Sequence, residues 1–332
     1  MNRSIKQAGF TLVELMVAIV LGLIITAAAV QLFITGQVSL STQKAMADLQ
    51  ESGNFGLRYI TNDLRRTNYE NVGVINDRLA NGGVVLTSRN NPSFVASGTY
   101  TAANIPTNIP NTISVSVPIS SSELGLSNVQ VGALRSNLGS DVIVIQHYAD
   151  QAGTDCEGNS YESGRYIVQR YFLRVDTNTS GVETNSALAL ACEAGSYTDA
   201  STRILKNPAT STTNFGSTQG EILIRRVDYL RFLLGVSNDA NTDGFRYISV
   251  GDYLNMNQYP RPRIMSIQIG MLIRSNEKAN SEDLVPENKQ YDVLDKSVLV
   301  KKDNKEKKYM RRVVTQTIAL RNGMYTEDKA VM

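Results

Sequence analysis

Tryptophan is absent from the 332 residues, and histidine occurs once, as His147. One imidazole cannot build a histidine-rich zinc centre, and it leaves only one Ser/His or Cys/His pairing open. The usual catalytic signatures are missing too. There is no phosphate-cradling glycine loop with a following lysine, no G-x-S-x-G elbow and no H-E-x-x-H helix. No pair of carboxylates has a spacing that argues for hydrolysis, so an enzyme is not expected. His147 lies in the strand-like run DVIVIQHY and reads as a strand residue. Charge of one sign is also lacking. The formal net charge is +2, and without Arg3 and Lys6 the balance is 31 basic against 31 acidic side chains. Such a chain has no global field to draw in nucleic acid.

What is present is a long apolar run. Leu15 to Gln43 holds no charged residue, and Leu15 to Ile34 is apolar except for Gly22, Thr26 and Gln31. Twenty helical residues at about 1.5 Å each reach about 30 Å, the thickness of a bilayer's hydrocarbon core. Arg3 and Lys6 precede the run, which places the N terminus in the cytoplasm and exports the rest. A secretory signal has a shorter apolar core, with its cleavage site after that core. Here the small residues Ala8 and Gly9 come before it. A plain signal anchor accounts for the length but not for Glu14. A charge at membrane depth costs about 2.5–3.5 kcal/mol on insertion scales and is usually paired or functional.

The stretch KQAGFTLVELMVAIVLG resembles the N terminus of type IV prepilins and type II secretion pseudopilins. The resemblance implies a prepilin peptidase that cuts between Gly9 and Phe10 on the cytoplasmic side, and N-methylation of Phe10. Glu14 then becomes the fifth residue of the mature chain and meets the N-terminal amine of a neighbouring subunit. Phe10 and Glu14 are thus the expected subunit-docking residues, with the carboxylate compensated inside an assembly. The segment departs from major pilins in having no proline before Pro92. Any interruption of the helix is expected at Gly22 or Gly36.

Beyond the membrane-length run, Met46, Leu49, Gly53, Leu57, Ile60 and Leu64 recur at helical spacing and form one apolar stripe. This predicts one helix from Phe10 to about Arg66. After Thr67 the composition turns to Gly, Asn, Ser and Thr with short β-rich runs: TISVSV, DVIVIQHY, RYIVQRYFLRVD, ILIRRVDYLRFLLGV, RIMSIQIGMLIRS and RRVVTQTIALRN. In the last of these, Val313, Thr315, Thr317 and Ala319 face one way, and Val314, Gln316, Ile318 and Leu320 the other. About 87–111, 195–219 and 276–307 read as loops. The expected fold is α+β, a long helix followed by a mainly antiparallel β head. Its expected parts are a removed leader (1–9), a membrane and filament-core helix (10–34), an amphipathic continuation (35–66) and a periplasmic head (67–332).

Three further blocks narrow the family. LQESGNFGLRYITNDLRRTNY at 49–69 looks like the helix ending of the PilW group of minor pilins. GVSNDANTDG followed by IMSIQIGMLIRS is similar to that group's Asp-rich turn and next strand, and TQTIALRN resembles its C-terminal strand. The resemblance implies a non-enzymatic pilus subunit held in the inner membrane with a periplasmic head, and later in the pilus on the cell surface. It would sit at or near the tip, start assembly, and serve twitching motility, adhesion or DNA uptake. The implied partners are prepilin peptidase, other minor pilins, the major pilin and a tip adhesin. The alternative is the related J-type pseudopilin of type II secretion.

Cys156 and Cys192 are the only cysteines. In an oxidising periplasm a disulfide between them is the expected state. Asp239, Asn241 and Asp243 before Gly244 match the first half of an EF-hand loop. Its twelfth position is Val250 instead of Glu, with Asp252 two residues beyond as a substitute. The two readings are a structural calcium site and a plain turn built from turn-forming residues; otherwise no cofactor is expected. The basic run VKKDNKEKKYMRRV, with Lys301, Lys302, Lys307 and Lys308, reads as a solvated hairpin tip between strands VLV and RRVV. DNA contact is the lesser reading.

Overall fold

The computed structural model describes residues 9–69, 83–85, 125–179, 187–198, 220–237, 244–256, 262–278, 289–301 and 309–320. A single helix, α1 (Leu12–Arg65), spans 54 residues, which is about 80 Å at 1.5 Å per residue. It starts where the sequence supplies a capping box: Thr11 is the N-cap and Glu14 the third helical residue. It runs unbroken through Gly22 and Gly36, against the expected weak points. It ends as the Arg66 N–H turns back to the carbonyl of Asp63. Asn68 then takes φ +64°, a left-handed conformation that asparagine tolerates better than most residues.

The strands follow. The first group is β1 (Val129–Val131), β2 (Ser136–Asn137), β3 (Ile143–Ala149), β4 (Gly153–Thr154), β5 (Ser160–Tyr161) and β6 (Arg165–Val175). The second is β7 (Leu188–Tyr197), β8 (Glu221–Arg225), β9 (Val227–Ser237) and β10 (Phe245–Ser249), then a short helix α2 (Val250–Leu254). The last is β11 (Arg263–Lys278), β12 (Gln290–Val293), β13 (Lys296–Val300) and β14 (Tyr309–Ala319). Two four-stranded sheets, β3-β6-β7-β8 and β10-β9-β11-β14, form the body. A third, β12-β13-β1-β2, is smaller, and β4-β5 is a separate ladder. All described pairings are antiparallel.

The helix lies against β11, β14 and β8. Leu49, Leu57, Ile60 and Leu64 enter the main core, together with Ile145, Tyr171 and Leu190 of one sheet and Phe232, Ile269 and Ile273 of the other. The stripe differs from expectation at its start. Ala45 is buried, whereas Met46 is 51% exposed. Counting four residues back from Leu49 gives Ala45, so spacing prevails over side-chain size. Two glycines let the helix come close: a Cβ on Gly53 would meet Ile273 and Val314, and one on Gly56 would collide with Ile224. The period-two reading of the last strand holds. Val314 and Ile318 join the helix-side core, and Val313 packs on the opposite face with Val298 of the small sheet.

Three expectations need correction. ILIRRVDYLRFLLGV reads as one run, but the chain kinks at Arg226, with φ +60°, and β8 and β9 belong to different sheets. Arg226 is buried and pairs with Asp176 at 2.6 Å, which holds the kink. The supposed loops also carry strand: residues 195–197 complete β7, 276–278 complete β11, and β12 and β13 form a hairpin within 276–307. VLV lies in β13, which pairs with β12 and β1 rather than β14, so the basic run joins two sheets and is not a hairpin tip. TISVSV lies outside the described residues.

Candidate functional site

The residues singled out at the N terminus lie together at the free end of α1. Phe10 is 87% exposed and precedes the N-cap. The Thr11 hydroxyl accepts from the Glu14 N–H at 3.3 Å. Glu14 Oε2 accepts from the Thr11 N–H at 3.1 Å and from the Thr11 hydroxyl at 3.0 Å. The carboxylate therefore has a local role. It satisfies N-terminal donors and places negative charge at the positive end of the helix dipole. Glu14 Oε1 accepts no hydrogen bond from a described residue, so capping leaves room for an added cation. The T-x-x-E spacing of this capping box is present in the sequence.

From Leu12 to Ile34 every residue is exposed. The helix is long and apolar enough to cross a membrane, and none of its most apolar window is buried within the chain. Uncovered apolar surface of this extent marks a membrane or protein contact.

The other candidates sit in the β-rich part. Cys156 and Cys192 form a disulfide with Cα atoms 6.1 Å apart, tying the β4–β5 ladder to β7. Asp155 Oδ1 accepts from the Glu157 and Asn159 N–H groups and shapes the turn that carries Cys156. Burial pushes the Glu157 carboxyl up to about 6, with the Ala194 N–H pulling down and Asp155, Glu193 and Glu221 pushing up. Asp239, Asn241 and Asp243 lie outside the described residues. Asp252, offered with them as a calcium ligand, lies in the first turn of α2, where its carboxylate accepts from the hydroxyl of the N-cap Ser249 at 2.6 Å. Among the described residues no group of three or more His, Cys, Asp or Glu is placed to hold a metal. Lys301 donates to the Ser127 carbonyl at 2.7 Å, whereas Lys302, Lys307 and Lys308 lie outside the described residues.

A cleft of about 890 Å³ opens at the C-terminal end of α1, lined by Arg65, Arg66, Tyr69, His147, Asp150 and Tyr161 among others. His147 is 4% exposed. Burial, then the Arg66 charge, lowers its pKa to about 4, against a smaller opposing effect of Asp150. Both cysteines are in the disulfide, so no thiol is available to pair with it. The buried ion pairs carry no local sequence signal, because their partners are far apart in the chain. Arg231 pairs with Asp141 and Asp295, and Asp228 pairs with Arg311 at 2.7 Å.

Comparison with known proteins agrees at both ends of the chain. Residues 175–322 match the model of the family described as Type IV Pilus-assembly protein W. Residues 5–30 match the prokaryotic N-terminal methylation motif. No curated protein matches. Among solved structures, a type IV-like pilin from Thermus thermophilus aligns over 62% of this chain and 87% of its own, at 9% identity and a TM-score of 0.28. That superposition is too loose to carry an argument. Residues 175–322 thus resemble the PilW family and residues 5–30 the methylation motif, and with the exposed apolar helix these two matches support a PilW-family type IV pilin whose helix suggests a membrane anchor.

Proposed function

We propose that this pilin is a minor subunit that enters a type IV pilus at or near its tip and promotes the start of assembly. Prepilin peptidase removes the residues up to Gly9, and Phe10 becomes the methylated N terminus. Before assembly the subunit spans the inner membrane with its β-rich part in the periplasm. There it gathers with other minor pilins, onto which the major pilin and a tip adhesin are added. The supporting observation is the free end of α1, where Glu14 caps its own helix through Oε2 with an uncovered apolar helix behind it. A neighbouring subunit's N-terminal amine is the cation that fits beside Oε1, since an opposite charge compensates a carboxylate held at membrane depth. Pilins are structural proteins, and the role proposed is non-enzymatic.

The test is a count of surface pili in a deletion strain, with and without the retraction motor, beside an assay of secreted enzymes. Pili lost when the motor is present, partly restored when it is removed, and normal secretion are expected. Persistent pili with failed secretion would instead assign the chain to a type II secretion pseudopilus. The docking step is read by Glu14→Ala, which should leave the membrane level of the subunit unchanged and abolish its entry into filaments. Normal entry would remove Glu14 from docking.

A further inference from the structure

The cleft of about 890 Å³ lies at the end of α1 opposite to Phe10 and Glu14. The last turn of α1, the end of β3 and the β4–β5 ladder enclose it. Its size is that of a ligand cleft, about 300–1,000 Å³. The charged residues on its walls are Arg65, Arg66 and Asp150. Both arginines are exposed, and neither guanidinium pairs with a described residue. A helix C terminus presents roughly half a negative charge. Two arginines against Asp150 and the helix end therefore leave a small positive excess. One negative charge on a ligand balances it, and a phosphate dianion overfills it.

The groups beside the arginines call for hydroxyls. His147 lines the cleft, and its Nδ1 is buried with no hydrogen-bond partner among the described residues. Such an atom is costly to leave unpaired. The ring is neutral near pH 7, because burial lowers its pKa to about 4. Nδ1 of a neutral imidazole either donates or accepts, and a hydroxyl answers both cases. Asp150 Oδ2 accepts from the Tyr69 hydroxyl at 3.3 Å. A carboxylate holds further lone pairs that only a donor can fill. Tyr69 is exposed and Tyr148 half-buried on the same walls, so both offer ring surface to an apolar C–H face. A sugar ring with one carboxylate combines all of these features. We propose that the cleft binds an acidic saccharide, with a uronate carboxylate on Arg65 and Arg66 and ring hydroxyls on His147 Nδ1 and Asp150. An acidic peptide brings the carboxylate without the hydroxylated ring.

The test is a titration of the full-length protein, in a detergent without a sugar headgroup, at pH 7 and low salt. The probes are trigalacturonate, its neutral methyl ester, triglutamate and inorganic phosphate. The chain has a single histidine, so one imidazole NMR signal reads the cleft itself. Trigalacturonate is expected to shift that signal saturably, and the other three to bind at least about tenfold more weakly. Arg65→Gln and Arg66→Gln replace exposed side chains. Each should weaken trigalacturonate by about tenfold or more and leave the thermal unfolding of the free protein nearly unchanged. Equal binding of triglutamate would make this a peptide site, and equal binding of phosphate an unselective anion site. Either result would overturn the proposal. So would a methyl ester that binds as well, affinity that survives both arginine substitutions, or an imidazole signal that trigalacturonate does not move.

Discussion

His147 and Glu157 carry opposite pH dependences. Burial holds the His147 imidazole neutral, with its pKa lowered from 6.5 to about 4. As pH falls, the unfolded chain takes this proton first, so the stabilisation is complete above 6.5 and is lost between 6.5 and 4. Because the chain has a single histidine, one imidazole NMR signal reports it. A midpoint near 4 is expected, and a midpoint near 6.5 would mean an exposed ring. Glu157 behaves in the reverse sense. Its carboxyl is pushed from 4.5 to about 6, so the folded chain holds the extra proton and stability falls as pH rises through that window. Glu157→Gln keeps an oxygen for the Ala194 N–H. It should raise the melting temperature by about 1–2 °C at pH 7 and leave it unchanged at pH 4. A rise at both pH values would point to packing instead of ionisation.

At the scale of elements, the helix–sheet contact and the disulfide are the two joints to test. Gly56 sits where a Cβ would collide with Ile224, so Gly56→Leu pushes α1 off β8. A loss of about 1–3 kcal/mol or more is expected in denaturant unfolding, whereas Met46→Ala, at an exposed position, should cost under about 0.5 kcal/mol. Removing the disulfide with Cys156→Ala and Cys192→Ala frees a loop of 36 residues and should lower stability by about 3–4 kcal/mol in the chain-entropy account. These joints also show what the sequence could convey. The helix and its stripe were legible because their signal is periodic and local, as were β3, β6, β11 and β14. The β12–β13 hairpin was missed because its turn carries Leu294 at φ +55°, where an Asn-Gly or Gly signal would ordinarily mark the reversal. The break between β8 and β9 was missed for the same reason, an arginine standing in the left-handed region. At the candidate site, the capping box that joins Thr11 to Glu14 is legible because its T-x-x-E spacing is local. The ion pair joining Arg231 to Asp141 spans 90 residues, and neither partner announces the other.

Taken whole, the molecule divides its apolar surface unequally along one helix. Leu12 to Ile34 gives nothing to the chain's own core, whereas Ala45, Leu49, Leu57, Ile60 and Leu64 are all buried. Tyr171 reinforces the second half by donating to Asp63 at 2.6 Å. The boundary between the exposed apolar surface and the folding surface therefore falls inside α1, between Ile34 and Ala45, and not at its end. Two truncations test this placement. A chain beginning at Gln37 keeps every buried helical side chain. It should be soluble without detergent and melt within a few degrees of the full-length protein. A chain beginning at Thr67 loses all five. Burial of each larger side chain is worth about 1.5–3 kcal/mol, so losing Leu49, Leu57, Ile60 and Leu64 approaches the 5–15 kcal/mol of a whole domain. That chain should expose Ile273 and Val314 and aggregate. Size-exclusion chromatography and thermal unfolding separate the two cases. If the chain from Thr67 is as stable as the chain from Gln37, the helix only leans on the sheets, and Gly53 and Gly56 are no part of a packed joint.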